Sequence, residues 1–334
     1  MRKYWVDIFN GPHVHFFQKL HYFLHDIMFT ARNYAPIPEL IDLYKIDAKV
    51  IGAHGGKDYY EKMLASLDRS IEMAKYIHGQ SIDILIHKHS VEAARVAWGM
   101  AIPAISYIDN ELMVPQNMLV CPLSNVLIAP IAIDQSTLRD FTPSHVSILQ
   151  FDGVCEIANV YKFKPDETVL SSLNIDTKKP IIVLRGEPIL AAYNKGVSIT
   201  EQLIANIKRD VPDAQVIHIN RVGEDNQNNH EIFDARSLSY YADIVISGGG
   251  TMTREAALLG TRAISFFNTP LAVDKYLMKK NLVESYPGEK ILSLNWKKEL
   301  FKVSKKHSDT LLSDLEHPFE MLPKAIKLIE MKHK

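Results

Sequence analysis

The sequence predicts an α/β protein of two consecutive domains, each a parallel sheet covered by helices. Three observations carry this expectation. Short runs rich in β-branched and aromatic residues alternate with longer stretches of helical periodicity from end to end, the pattern of strand–helix–strand crossovers. A polar, proline-containing passage, Lys162–Lys179, interrupts the alternation near the middle and reads as a linker. Late in the second half, an apolar strand runs straight into three glycines and then into a helix, at Asp243–Gly260.

In the first half the expected strands are Tyr4–Phe9, Asp26–Thr30, Ala48–Gly52, Ile82–His87 and Ala104–Ile108, with less regular ones at Asn125–Ala129 and Ser144–Gln150. Tyr59–His78 and Ser90–Gly99 space their apolar residues as helices do. In the second half, strands at Ile181–Arg185, Gln215–Asn220, Ile244–Ser247 and Arg262–Phe266 alternate with helices at Ser198–Arg209, Ser237–Ala242 and Thr253–Gly260. The expected domains are 1–165 and 166–334, with the last helix placed to pack back on the first.

Composition narrows the function classes. The 334 residues are 47% hydrophobic and 23% charged with a net charge of −1, so no charge imbalance points to nucleic acid. With only Cys121 and Cys155 and no leader pattern at Met1–Asn10, a cytoplasmic protein without disulfides is expected. The most apolar stretch, Met118–Ile133, is broken by Pro122, Asn125 and Pro130, short of the ~20 apolar residues of a membrane helix. Peripheral contact with a membrane and a homodimer both stay open. The late lysines Lys297, Lys298, Lys302, Lys305 and Lys306 read as a solvated helix face.

The strand–glycine–helix segment is the strongest chemical signal. Gly248, Gly249 and Gly250 let backbone approach a ligand closely, and a helix N-terminus behind them suits a diphosphate. Ser247, Thr251 and Thr253 add hydroxyls, and Glu255 can reach back to sugar hydroxyls. The plain alternative is a tight turn whose glycines permit packing. Placement at the carboxyl end of a strand favours a ligand. Asn10, His13 and His15 follow the first strand, His87 and His89 stand at the end of the fourth, and Asp109 and Glu111 follow the fifth. These are also strand ends where ligands collect, although capping and solvation account for Asp109 and Glu111 equally well. The first-strand turn lacks the G-x-G-x-x-G pattern, which disfavours a dinucleotide cofactor. Five histidines, His13, His15, His54, His87 and His89, suit zinc chemically, but no Cys joins them and no H-E-x-x-H is present, so no metal is expected.

The segment Ser237–Phe267 resembles the donor-binding region of glycosyltransferase-B proteins, in particular the N-acetylglucosaminyltransferase of peptidoglycan synthesis and the non-hydrolysing UDP-N-acetylglucosamine 2-epimerases. Across nearly the whole chain, Trp5–Ile8, Pro12–Phe17, Thr30–Arg32, Gly52–Gly56 and Gly248–Leu259 resemble an uncharacterised, largely archaeal glycosyltransferase-B-like family placed beside those epimerases. The resemblance implies two Rossmann-like domains facing a cleft. It implies a diphosphate on the glycine turn, the ribose on Glu255, and Arg185 near the phosphates, with Arg221 a weaker candidate. On the acceptor side it implies His13 as base, His54 on a loop over the cleft, and Asp274 near donor sugar or acceptor. Phe9 departs from it, standing where a small polar or acidic residue is usual.

The expected function is transfer of a sugar from a nucleotide-diphosphate donor, a UDP-sugar first among them, to a glycan, lipid or small-molecule acceptor. The nucleotide sugar is then a substrate and no cofactor is needed. Two alternatives remain: a UDP-sugar 2-epimerase using Asp109, Glu111 or Glu187, and a nucleotide-sugar-binding protein without turnover.

Overall fold

The computed structural model describes residues 2–56, 58–186, 199–219, 233–302 and 312–332. Apolar runs that are buried on both faces form parallel strands, and among the described residues every strand pairing is parallel. The chain divides into two compact units, Met1–Asn159 with Glu316–Lys334, and Val160–Leu315.

The first unit holds β1 (Tyr4–Ile8), β2 (Ile27–Asn33), β3 (Ala48–Ala53), β4 (Ile84–Lys88), β5 (Ala104–Tyr107), β6 (Val126–Pro130) and β7 (Ser147–Phe151). Their order is β3-β2-β1-β4-β5-β6-β7. The chain therefore builds outward from β1 in one direction and, from β4, in the other. Such a reversal leaves a crevice at the carboxyl ends of the two central strands. The second unit holds β8 (Ile181–Arg185), β9 (Gln215–His218), β10 (Ile244–Ser247), β11 (Arg262–Ser265) and β12 (Val283–Ser285). Its order, β12-β11-β10-β8-β9, places the reversal between β8 and β10.

The passage Lys162–Lys179 is not a linker. It contains the helix Thr168–Ser172 and belongs to the second unit. Asp166 accepts hydrogen bonds from the amide and hydroxyl of Thr168, Val169 and Leu170 are buried, and the Arg236 guanidinium lies over the Phe163 ring at 4.8 Å. Three apolar residues suffice to dock a segment whose remaining side chains are polar. The strand β12 was not expected, because three residues are too few to show a period.

An aromatic cluster centres the first unit. Phe16 meets Phe17, Tyr107 and Phe319 edge to face at 4.8 Å, 5.1 Å and 4.9 Å. Phe319, Leu322, Ala325, Ile326 and Ile329 reach this core from the end of the chain, and the Tyr107 hydroxyl donates to the Pro318 carbonyl. Among the described residues, no helix is long and apolar enough to cross a membrane.

Beneath the β1–β4 reversal lies a polar network. Asp7 and Arg69 are both fully buried. Asp7 Oδ1 accepts from Arg69 Nη2 at 2.8 Å and from Thr30 Oγ1 at 2.6 Å, and Oδ2 accepts from Ser90 Oγ at 2.5 Å. Arg69 also donates to Glu92 and to the Ile51 carbonyl. Breaking one side of a buried pair strands the other charge, at a cost of about 3–5 kcal/mol. Asp7→Asn should therefore lower the free energy of urea unfolding by roughly that amount; a loss below ~1 kcal/mol would show the pair to be dispensable.

Candidate functional site

In the second unit the glycine turn sits at the sheet reversal. Ser247 ends β10 and lies in register with Arg185, the last residue of β8, and the Gly248 amide donates to the Arg185 carbonyl at 3.0 Å. Gly249 and Gly250 have φ of 105° and 107°, a region closed to other residues. They differ in surroundings. A Cβ at Gly249 would strike Phe267 at 2.7 Å, so packing explains that glycine; a Cβ at Gly250 would meet nothing within 4 Å. Gly250 caps the helix Thr251–Leu258, whose first amides have no partner within the helix.

Thr253 is buried, and its Oγ1 has no hydrogen-bond partner. Ser247 is different: its fully buried hydroxyl donates to the Gly249 carbonyl at 3.1 Å and so braces the turn. Thr251, half-buried, opens the helix. Glu255 is buried and lies on the second helical turn, not the first. Arg254, next to it, donates to Asp274 Oδ1 at 2.7 Å, while Asp274 Oδ2 accepts the Leu271 amide. The Asp274 carboxylate thus ties two helix starts together, which gives it a structural task beside the ligand contact expected of it. Glu187 and Arg221 lie outside the described residues.

In the first unit the reversal gathers His13, Lys88, His89 and Asp109. Asn10 precedes the helix Gly11–Phe17 without a side-chain cap bond, and its carbonyl accepts the His13 amide. His13 is buried, with Nδ1 unpartnered. Burial, then the Lys88 charge and His89, push its pKa well below the usual value against the pull of Asp109. His13 is therefore neutral at physiological pH.

Asp109 is held at 2.5 Å by Lys88 Nζ and at 3.3 Å by His89 Nε2. Burial works against the Lys88 charge, yet Asp109 outweighs it and the net shift is upward. Asp109 is thus engaged by two side chains at once. His89 adopts a left-handed backbone, φ 51°, and Glu111 is half-buried on the following loop. Lys88 was not singled out from the sequence. Its place at the end of a fully buried strand, where a charge must have a partner, was the available signal.

His15, His54 and His87 each have a neighbour of their own. His15 contacts Tyr44 through Nε2 at 3.4 Å and edge to face. His54 stacks on Tyr34 at 4.4 Å and accepts the Gly56 amide. His87 is fully buried and accepts the Ser90 amide. Among the described residues no three His, Cys, Asp or Glu side chains converge as a metal-ligand group.

Burial holds His87 down to about 3 and His317 down to about 4, and His13 is lowered as well. The unfolded chain binds protons at these rings below pH ~6.5 while the folded chain does not. Their contribution is complete above pH ~6.5 and is lost as pH falls toward 4. In urea titrations at pH 7 and pH 5, His317→Gln should lose up to about 1.4 kcal/mol less stability per pH unit than wild type. Equal losses in both proteins would contradict this.

Comparison with known proteins bears on this geometry. The family model described as "Protein of unknown function (DUF354)" matches residues 2–327. Uncharacterized protein MJ0665 of Methanocaldococcus jannaschii is 32% identical over 295 residues, covering 83% of this chain and 85% of that protein. The structure of UDP-GlcNAc 2-epimerase from Neisseria meningitidis bound to UDP-GlcNAc matches with a TM-score of 0.69 at 14% identity, over 98% of this chain and 99% of that one. A Streptomyces sp. SF2575 glycosyltransferase complexed with thymidine diphosphate matches with a TM-score of 0.58 at 12% identity, over 99% and 100% of the two chains. These structures share the α/β fold with two parallel sheets, that of glycosyltransferase-B enzymes and the 2-epimerases. With the family model spanning nearly its whole length and a relative at 32% identity, the chain belongs to the DUF354 family.

Proposed function

We propose that this protein is a glycosyltransferase that binds a nucleoside-diphosphate sugar on its second unit and an acceptor on its first. The observation that carries the reading is the turn before the helix Thr251–Leu258. Gly250 adopts a glycine-only backbone with open space at its Cβ position, and the Thr253 hydroxyl beside it is buried without a partner. Packing explains neither. A diphosphate explains both, with the helix amides and dipole neutralising its charge.

In this reading Arg185, in register with the start of the turn, adds positive charge as the diphosphate departs, and Glu255 takes the ribose hydroxyls. An acceptor hydroxyl oxygen attacks the anomeric carbon. The bond from that carbon to the diphosphate breaks, and the electron pair leaves with the phosphate oxygen. His13, neutral through burial, receives the hydroxyl proton, and the Lys88–Asp109–His89 cluster holds its surroundings. UDP is the first nucleotide to test, because the matching epimerase is bound to UDP-GlcNAc.

Epimerisation of a UDP-sugar is the second reading. It is favoured by the match to an epimerase over 98% of this chain, and Asp109 and Glu111 are its described carboxylates.

Calorimetric titration with UDP, GDP, dTDP and NAD tests the donor site. Micromolar binding of one nucleoside diphosphate, weakened at least ~10-fold in Glu255→Ala, is expected; no binding of any of the four would overturn the reading. His13→Ala should keep the nucleotide affinity and lower turnover by roughly 10²–10⁴-fold. Unchanged turnover would remove His13 from the chemistry.

A further inference from the structure

We propose that the first unit carries an oxyanion-binding subsite built on Arg32, a residue that the donor site does not use. Arg32 lies near the end of β2, beside the β1–β4 reversal, and is only 8% exposed. Its guanidinium carbon sits 3.9 Å from the centroid of the Phe9 ring and 5.0 Å from that of Tyr34. Two aromatic rings thus fix the group, and its N–H edge is what it has left to offer.

That edge is hardly spent. Nη2 donates to Asn10 Oδ1 at a long 3.4 Å, and Nε is buried with no acceptor. Arg32 forms no ion pair among the described residues. The nearest carboxylates support its charge from a distance, for burial lowers its pKa while Glu92 and Asp7 oppose the fall. Their oxygens are already taken: Asp7 by Arg69, Thr30 and Ser90, and Glu92 by Arg69 and Ser66. A second unspent group lies next door. His13 Nδ1 is buried without a partner, and Asn10 links the two residues, through its side chain to Arg32 and its carbonyl to the His13 amide.

A guanidinium taken out of water without a carboxylate is costly. A planar fork held by ring faces is the geometry that takes two oxygens of one anion in parallel. The ligand group is accordingly a carboxylate or a phosphate ester. Resting on the transfer reading, the subsite makes the acceptor an anionic molecule; without that reading it remains an anion site on the first unit. Phe9, at odds with the family pattern, gains a role as the shelf under Arg32.

The test is titration of the full chain with inorganic phosphate and, separately, acetate, at matched ionic strength, followed by thermal shift and by NMR of ring protons. Wild type should bind at least one anion. Arg32→Gln should weaken that binding at least ~10-fold, and Arg32→Lys, which keeps the charge but loses the fork, should fall between. The larger response tells phosphate ester from carboxylate. Binding to the glycine turn is separated by Thr253→Val, in which the Arg32-dependent response should persist. A UDP titration of the same samples reports the second unit, so failure there and failure here are read independently. Anion binding within ~2-fold of wild type in both Arg32 variants, or no binding of either anion by wild type, overturns the subsite.

Discussion

A carboxylate with no exposure, set in the central strand of a sheet, has to be answered from all sides. Asp7 is answered by β2 through Thr30, by the helix Tyr59–Ile77 through Arg69, and by the start of the helix Val91–Gly99 through Ser90. Each bond fixes one layer against another. Ser90 also caps its own helix, accepting the Ala93 amide. The turn His87–Ser90 that delivers Lys88 and His89 is thereby anchored at its far end. The polar residues at the β1–β4 reversal keep their places because the network beneath them has one satisfactory arrangement.

The two units use different means at equivalent points of their sheets. At the β8–β10 reversal the groups on offer are largely backbone: glycine conformations, helix amides and one hydroxyl. At the β1–β4 reversal they are side chains of both signs, in which Lys88 and Asp109 neutralise each other and His13 stays uncharged. Backbone donors have a fixed direction and cost little to organise, which suits a group common to many ligands. Side-chain clusters are more selective and more expensive to bury.

Much of this was legible in the sequence. The triple glycine between a strand and a helix showed itself because conformational need and position coincide, and the reversal put Arg185 beside it. Strand ends drew attention to His13, His89 and Asp109 for the same reason. Other features depended on distance in three dimensions. Nothing local distinguishes Arg32 from a solvated arginine until Phe9 and Tyr34 close over it. Ser247 was read as a hydroxyl for the ligand, and only the structure shows that it also donates to the Gly249 carbonyl of its own loop. The passage Lys162–Lys179 looked like a linker because its polar majority hid Phe163, Val169 and Leu170.

The return of 316–332 to the first unit bears on how the chain is made. Phe319 fills the space between Phe16, Phe23 and Tyr107, so the first unit lacks part of its centre until residues 316–332 have been made. Domains ordinarily fold in the order of synthesis. Here the second unit, continuous from Val160 to Leu315, can close its core before the first has all of its own. Until then Phe16 and Tyr107 lack the ring that packs on them, and chaperone capture at that stage would compete directly with the arrival of the helix Leu322–Lys332.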